Sequence, residues 1–367
     1  MLWILFIVLA LFVTGVIVFV NQPRFGSTPK GARLERVRNS PNYRDGKFQN
    51  IEPTEQLTSD EGFITSLRHV LLKRNANGRP KDPIPSVKTD LWNLHRDEDV
   101  LIWFGHSSYL LQINGRRLLI DPVLNGSGSP VSFINKPFPG ADTYRPADIP
   151  EIDYLVISHD HWDHLDYTTV REIKERVGKV ICGLGVGQHF ERWGFTSEQL
   201  IELDWNEEAV LGGGLTVYCL PARHFSGRSL NRNQSLWVSY LFDFPSCRVY
   251  IGGDSGYGKH FAGIGERFGN IDLAILENGQ YSDTWKYMHT RPQYLVQAFN
   301  DLKAKRLFTV HHSKFSLSNR HSWSEPLEHI TRAAEQDSIP LIQPMIGEKV
   351  NLRDSIYTLY PWWENIR

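Results

Sequence analysis

Cysteine is scarce in this sequence: 367 residues hold three, Cys182, Cys219 and Cys247, widely spaced and without a C-x-x-C pair. That excludes a disulfide framework and a thiolate zinc site, and leaves the three as small buried hydrophobes in or beside strands. Net charge is equally scant. Forty Lys and Arg face 41 Asp and Glu, a formal charge of −1, so no broad positive field exists to hold a polyanion and a general nucleic-acid binder is excluded. Neither G-x-G-x-x-G nor a P-loop occurs, which removes the usual phosphate cradles of nucleotides. No internal repeat or low-complexity tract is visible. Hydrophobic residues at 41% and aromatics at 12% nevertheless supply a full globular core.

Long apolar runs are missing too, with one exception. LWILFIVLALFVTGVIVFV, residues 2–20, carries no charge and at 1.5 Å per residue spans about 28 Å, close to a bilayer core. A secretory signal has a charged n-region, a shorter run and a cleavage site; here the run passes into Asn-Gln-Pro without one, so it reads as an uncleaved single-pass anchor. Arg24, Lys30, Arg33, Arg36 and Arg38 follow against Glu35 alone, which favours a cytoplasmic body. The expected organisation is an anchor over 1–21, a polar tether and packing arm over 22–98, and a hydrolase domain over 99–367. In the arm, Thr58 and Glu61 fit a capping box ahead of Phe63, Ile64, Leu67, Val70 and Leu71 at helical spacing.

From Val100 the pattern becomes short apolar strands: VLIWF, SYLLQI, RLLI, YLVIS, KVIC, LTVYCL, SLWVSYLF, RVYIG, DLAIL and LFTV. Helical patterns intervene near 168–177, 257–267, 291–303 and 323–336. Strands grouped early, then alternating with helices, predict two sheets covered by helices, an α+β or α/β sandwich.

YLVIS runs directly into His159-Asp160-His161-Trp162-Asp163-His164. His at i and i+2 leaving a strand can turn toward one point while Asp163 and His164 face another, a pattern suited to two neighbouring metals. Imidazole and carboxylate without thiolate suit Zn²⁺, and ligand type admits Fe or Mn as well. His224, Asp254 and His311 follow later strands in the same manner. His312 adjoins His311, but neighbours in a strand face opposite ways, so only one should enter the cleft. Gly252 and Gly253 are expected to let the backbone before Asp254 approach the metals.

H-x-H-x-D-H with a later His, Asp and His resembles the metallo-β-lactamase superfamily. WFGHSSYLL, LLIDPVL, ISHDHWDHLDY, IELDW, GGDSGY, IDLAIL and KYMH are similar to its N-acylphosphatidylethanolamine-hydrolysing phospholipase D branch, from about Val100 to Pro326. The resemblance implies an αβ/βα four-layer fold, here behind an N-terminal transmembrane helix. It implies that His159, His161 and His224 hold one zinc, that Asp163, His164 and His311 hold a second, and that Asp254 bridges them. A hydroxide between two metals is a nucleophile at neutral pH. Asp121 matches an acidic position that orients a metal-bound histidine, or else caps the turn before Pro122. His289 matches a histidine lining the active site, which with Asp163 and Asp254 completes the expected catalytic set. His106 and His321 sit in family-like contexts and are expected to support the ligands. A homodimer is suggested by the likeness alone.

Two stretches depart from the family pattern. Glu277-Asn278-Gly279-Gln280-Tyr281 replaces apolar residues around the Gly, and His312-Ser313-Lys314-Phe315 stands where Trp-Gly-Thr-Phe is usual. Both flank the expected metals, so Glu277, Gln280, His312 and Lys314 are candidate substrate contacts that would make the pocket more polar. The preferred reading is a membrane-anchored dinuclear-zinc phosphodiesterase of phospholipase D type acting on a phospholipid. The alternatives are a same-fold hydrolase of a lactone or soluble phosphate ester, and a membrane-tethered binding protein.

Overall fold

In the computed structural model, which describes residues 2–58, 77–228, 231–317, 321–354 and 357–367, two seven-stranded sheets pack face to face. The helix expected after Thr58 falls largely outside the described residues. The first sheet orders as β16-β3-β4-β5-β6-β7-β8. It holds β3 (Val100–Trp103), β4 (Tyr109–Ile113), β5 (Arg116–Ile120), β6 (Ile152–Ile157), β7 (Val177–Gly183), β8 (Leu200–Leu203) and β16 (Lys349–Asn351). The second orders as β15-β14-β13-β12-β11-β10-β9. Its strands are β9 (Glu208–Gly212), β10 (Leu215–Leu220), β11 (Ser239–Asp243), β12 (Arg248–Ile251), β13 (Leu273–Glu277), β14 (Leu307–Val310) and β15 (Leu341–Ile342). A hairpin, β1 (Tyr43–Arg44) and β2 (Lys47–Phe48), stands apart.

Central strands are buried along their whole length rather than alternately, because each sheet has an apolar neighbour on both faces. Between the sheets, Trp103, Tyr109 and Leu111 meet Val217, Phe242 and Phe308. Trp103 and Tyr109 set their rings edge-on to Phe308 at 6.4 and 6.0 Å, and the Tyr240 hydroxyl crosses to donate to Ile157 O at 2.9 Å. The first sheet's outer face takes Val170 and Ile173 of a helix at Tyr167–Ile173 and Phe190 of another at Gly187–Arg192. Three helices, His260–Arg267, Pro292–Asp301 and Glu325–Asp337, cover the other sheet. In the last of these, Pro326 fits the unpaired first turn, Leu327, Ile330 and Ala334 form the buried stripe, and Ser338 at φ 54 stops it. The helix, sheet, sheet, helix layering expected from the sequence is therefore observed.

Leu2–Val20 is one 19-residue helix whose described side chains lie almost wholly exposed, long and apolar enough to cross a membrane. The segment after it is strapped to the body. Arg33 pairs with Glu191 and Glu202, Arg36 with Glu207, and Val37, Phe48, Ile84, Leu91 and Leu94 are buried in the cores.

Candidate metal centre

Strand polarity brings the chemistry to one end of the sandwich. β5, β6 and β7 are parallel, as are β12, β13 and β14. Their C-terminal ends deliver Asp121, His159–His164, Asp254, Glu277 and His311 together, with His224 following β10. Gly253, at φ +59, is what lets Asp254 in: a Cβ there would meet Ser158 Cβ and Val238 O at 2.9 Å. The loops carrying His106 and His311 hold each other, the His106 N–H donating to His312 O and the His311 N–H to His106 O, both at 3.0 Å. His106, Asp121 and His311 take φ of 54, 41 and 70°, left-handed conformations that cost about 1–3 kcal/mol each and persist where the surroundings dictate them.

His159, His161 and His224 form the first cluster. His161 Nδ1 lies 2.8 Å from His159 Nε2 and 3.2 Å from His224 Nε2. The His224 Nδ1–H donates to Met288 O at 2.8 Å, which leaves Nε2 as a lone pair. Burial holds all three rings below the ordinary imidazole range, so they are neutral. A proton can serve one such nitrogen contact at a time, whereas a cation serves all three.

Asp163, His164, His311 and His106 form the second. Asp121 accepts from His164 Nδ1 at 2.8 Å, and from the Ser158 N–H and hydroxyl at 2.8 and 2.6 Å, so it fixes the tautomer that turns His164 Nε2 inward. His106 Nε2 holds Asp163 Oδ2 at 2.9 Å. Asp254 stands between the clusters. Its Oδ2 lies 3.2 Å from His164 Nε2, 3.8 Å from His224 Nε2 and 3.9 Å from His159 Nε2, and its Oδ1 is 3.2 Å from His311 Nδ1. His164 Nε2, His311 Nε2, His106 Nδ1 and Asp254 Oδ1 are buried without hydrogen-bond partners, each such atom costing about 1–3 kcal/mol. Burial opposes charge on Asp163 and Asp254, but His164 and its neighbours hold both carboxyls well below their usual range. The same carboxylates, against burial, hold His164 well above its own, so a proton is held where a cation can replace it.

His289 lies beside these groups, its ring 5.1 Å from both His224 and His311. Its Nδ1 meets Glu277 Oε2 at 2.6 Å. Glu277 Oε1 accepts from the Ser255 and Thr290 N–H groups at 3.0 and 2.6 Å. Burial pushes the Glu277 carboxyl up to about 7, and its charge in turn raises His289 against the burial of that ring.

The polar atoms of the four candidate substrate contacts have partners within the protein. Glu277 is spent on His289 and two backbone amides. Gln280, 2% exposed, donates to His311 O and Phe315 O and accepts from the Leu317 N–H. His312 packs on Trp103, with its nitrogens at Ser313 Oγ and Thr309. Lys314 is 1% exposed, donating to Phe104 O and Val123 O at 3.1 and 3.0 Å, with Asp142 at 3.8 Å. Gln280, His312 and Lys314 thus spend their polar groups within the protein, while Glu277 stays beside His289. His321 sits against Tyr281, 4.3 Å between rings, and is in neither cluster.

Burial brings Lys314 down to about 8 from 10.5. The folded state then binds fewer protons than the unfolded between those values, so stability contributed through Lys314 rises as pH climbs from about 8 to about 10.5. Melting curves at pH 7.5 and 9.5 are expected to show this gain in the wild type and its loss in Lys314→Met; equal gains in both would refute it.

Several supports carried no sequence signal. Asn50, in the arm, accepts from the His224 N–H and donates to His224 O, at 3.1 and 2.8 Å. Ser107 Oγ meets His311 Nδ1 at 3.0 Å. Asp160, inside the H-x-H, points away from the clusters to Gly227 N, Ser235 Oγ and His189.

Comparison with known proteins bears on the family and the fold. A family profile described as the beta-lactamase superfamily domain matches residues 116–312. An uncharacterized protein of Mycobacterium tuberculosis is 38% identical over 328 residues, 88% of this chain and 87% of that protein. The N-acyl-phosphatidylethanolamine-hydrolyzing phospholipase D 1 of Caenorhabditis elegans is 28% identical over 310 residues, covering 77% and 85% respectively. Among solved structures, Igni18, a metallo hydrolase from Ignicoccus hospitalis, shares the fold with a TM-score of 0.54 and 21% identity, over 68% of this chain and 97% of that one.

Proposed function

The chain belongs to the beta-lactamase superfamily of metal-dependent hydrolases, and from that premise we propose that it binds two zinc ions and cleaves a phosphodiester of N-acylphosphatidylethanolamine-like lipids. The observation that carries this is Asp254 standing between two clusters of ligand atoms, with His164 Nε2, His311 Nε2 and its own Oδ1 buried without hydrogen-bond partners. His159, His161 and His224 would hold one ion, Asp163, His164 and His311 the other, with Asp254 shared. Bound there, such ions supply a nucleophile at neutral pH and neutralise charge developing on the phosphodiester oxygens.

The chain's own residues supply the rest. Asp121 and Met288 O hold His164 and His224 in the tautomers that leave Nε2 free. His106 fixes Asp163. Glu277 keeps His289 turned and favours its protonated form beside the ligands, where its ring can meet a substrate phosphate or pass a proton to the leaving oxygen. Support for a lipid comes from the relative named above, from the apolar Leu2–Val20 helix, and from Gln280, His312 and Lys314 being folded inward rather than into the cleft. Residues 1–21 would anchor the enzyme with its body, residues 99–367, on the cytoplasmic side, and 22–98 would tie the two together.

The test uses the full-length protein. Elemental analysis should return two zinc ions per chain, and deletion of residues 1–21 should reduce turnover of phospholipid vesicles while sparing a soluble phosphodiester. Trace metal only would end the metalloenzyme reading. Unchanged vesicle lipids, with a soluble ester turned over, would transfer the assignment to a soluble substrate.

A further inference from the structure

Where the apolar helix meets the body there is a cavity of about 240 Å³, lined among others by Asn21, Lys30, Asp160, His189, Arg192 and Arg228. It lies behind the metal loop rather than in the cleft. Its mouth is formed by exposed residues, Lys30 and Arg192 among them, and its floor is charged and buried. Arg228 is 3% exposed and its guanidinium stacks on Trp162 at 4.0 Å and Trp193 at 5.3 Å. Its Nε and Nη1 donate to the carbonyls of Arg24, Asp160 and Leu165, and its Nη2 has no hydrogen-bond partner. Arg192 likewise spends its donors on carbonyls, those of Gly26 and Asn21. The Asp160 carboxylate is occupied by Gly227 N, Ser235 Oγ and His189 Nε2. Among the described residues, Lys30, Arg192 and Arg228 form no ion pair with any carboxylate.

Asp160 and Asp166 lie near enough to act on Arg228, but the Asp160 carboxylate on this wall is turned to its own three donors. A buried guanidinium with one donor unpartnered, beside Lys30 and Arg192, therefore fits an anion with several acceptor oxygens. The position adds a second constraint. Val20 and Asn21 line the same cavity, so if Leu2–Val20 spans a bilayer the cavity opens at the depth of the lipid head groups. We propose that this junction is a phosphate-binding site, distinct from the metal cleft, taking the phosphate of a lipid head group or free phosphate. An aromatic path leads from it to the metal loop: Phe19 meets Phe25 at 5.2 Å, and Phe25 meets Trp162, between His161 and Asp163, at 5.0 Å. Only the lipid source rests on the membrane reading; the phosphate chemistry stands without it.

Calorimetric titration of the full-length metal-loaded protein in a non-ionic detergent tests this, with inorganic phosphate and dihexanoyl phosphatidic acid as probes. Lys30→Ser with Arg192→Gln should weaken one class of site at least about tenfold, while phosphate bound at the metals, and hydrolysis of a soluble ester, stay as they were. Should Arg192→Gln unfold the strap, Lys30→Glu alone, on an exposed side chain, should weaken the same class. Tighter binding of the short-chain lipid assigns the site to a head group, and equal binding assigns it to free phosphate. Isotherms identical in wild type and variants, or no second class in the wild type, would overturn the proposal.

Discussion

Asp254→Asn is expected to lower hydrolysis by more than about 10³-fold, and to lower the metal content of the purified protein with it. The substitution keeps shape and removes charge. Both carboxylate oxygens face imidazole nitrogens, with His164 and His311 at 3.2 Å; an amide offers one acceptor, and its NH₂ would point hydrogens at lone pairs meant for a cation. Among the described residues, the neighbouring carboxylates Asp163 and Glu277 are held by His106 and His289. Elemental analysis beside a rate measurement checks this, and circular dichroism shows that the sandwich survives. Full metal occupancy with an undiminished rate would remove Asp254 from the centre of the mechanism.

The clustering of the candidate ligand residues was legible because each follows a short apolar strand, and strand ends are where a parallel sheet delivers side chains to a common edge. YLVIS before His159, RVYIG before Asp254 and LFTV before His311 all became parallel strands. The polar residues near them, read as candidate substrate contacts, have partners within the protein for a physical reason. Gln280, His312 and Lys314 carry hydrogen-bonding groups, and composition alone turns such groups toward a cleft. In the fold, loops at left-handed φ, Gln280 at 58° and Ser313 at 61°, expose backbone carbonyls inward, and the side chains are consumed in capping them. Asn50 was invisible for the opposite reason. It lies in a polar arm with no periodicity, and only the tertiary path of that arm brings it to His224. Short elements such as β15 and the helix at Gly187–Arg192 were also illegible, being too brief to show a period.

His289→Ala is the second substitution expected to have a large effect, about 10²- to 10⁴-fold in kcat, the range for a positioned acid or base, with metal content unchanged. The ring belongs to neither the three-histidine nor the His106 cluster; it groups with Asp254, Glu277 and His311, stacks on His311, and its Nδ1 is held by Glu277 at 2.6 Å. Glu277→Gln then separates positioning from chemistry. An amide can still accept from His289 Nδ1–H, so the ring stays in place, but the negative charge that raises His289 is gone. A group required in its protonated form is lost as pH rises through its pKa. Lowering that pKa therefore moves the alkaline fall in kcat to lower pH, with KM and metal content kept. A merely structural Glu277 would instead lower stability and leave the shape of the pH profile alone. An unshifted profile in Glu277→Gln, beside a large loss in His289→Ala, would mean that His289 acts through contact with the substrate and not through the proton it carries.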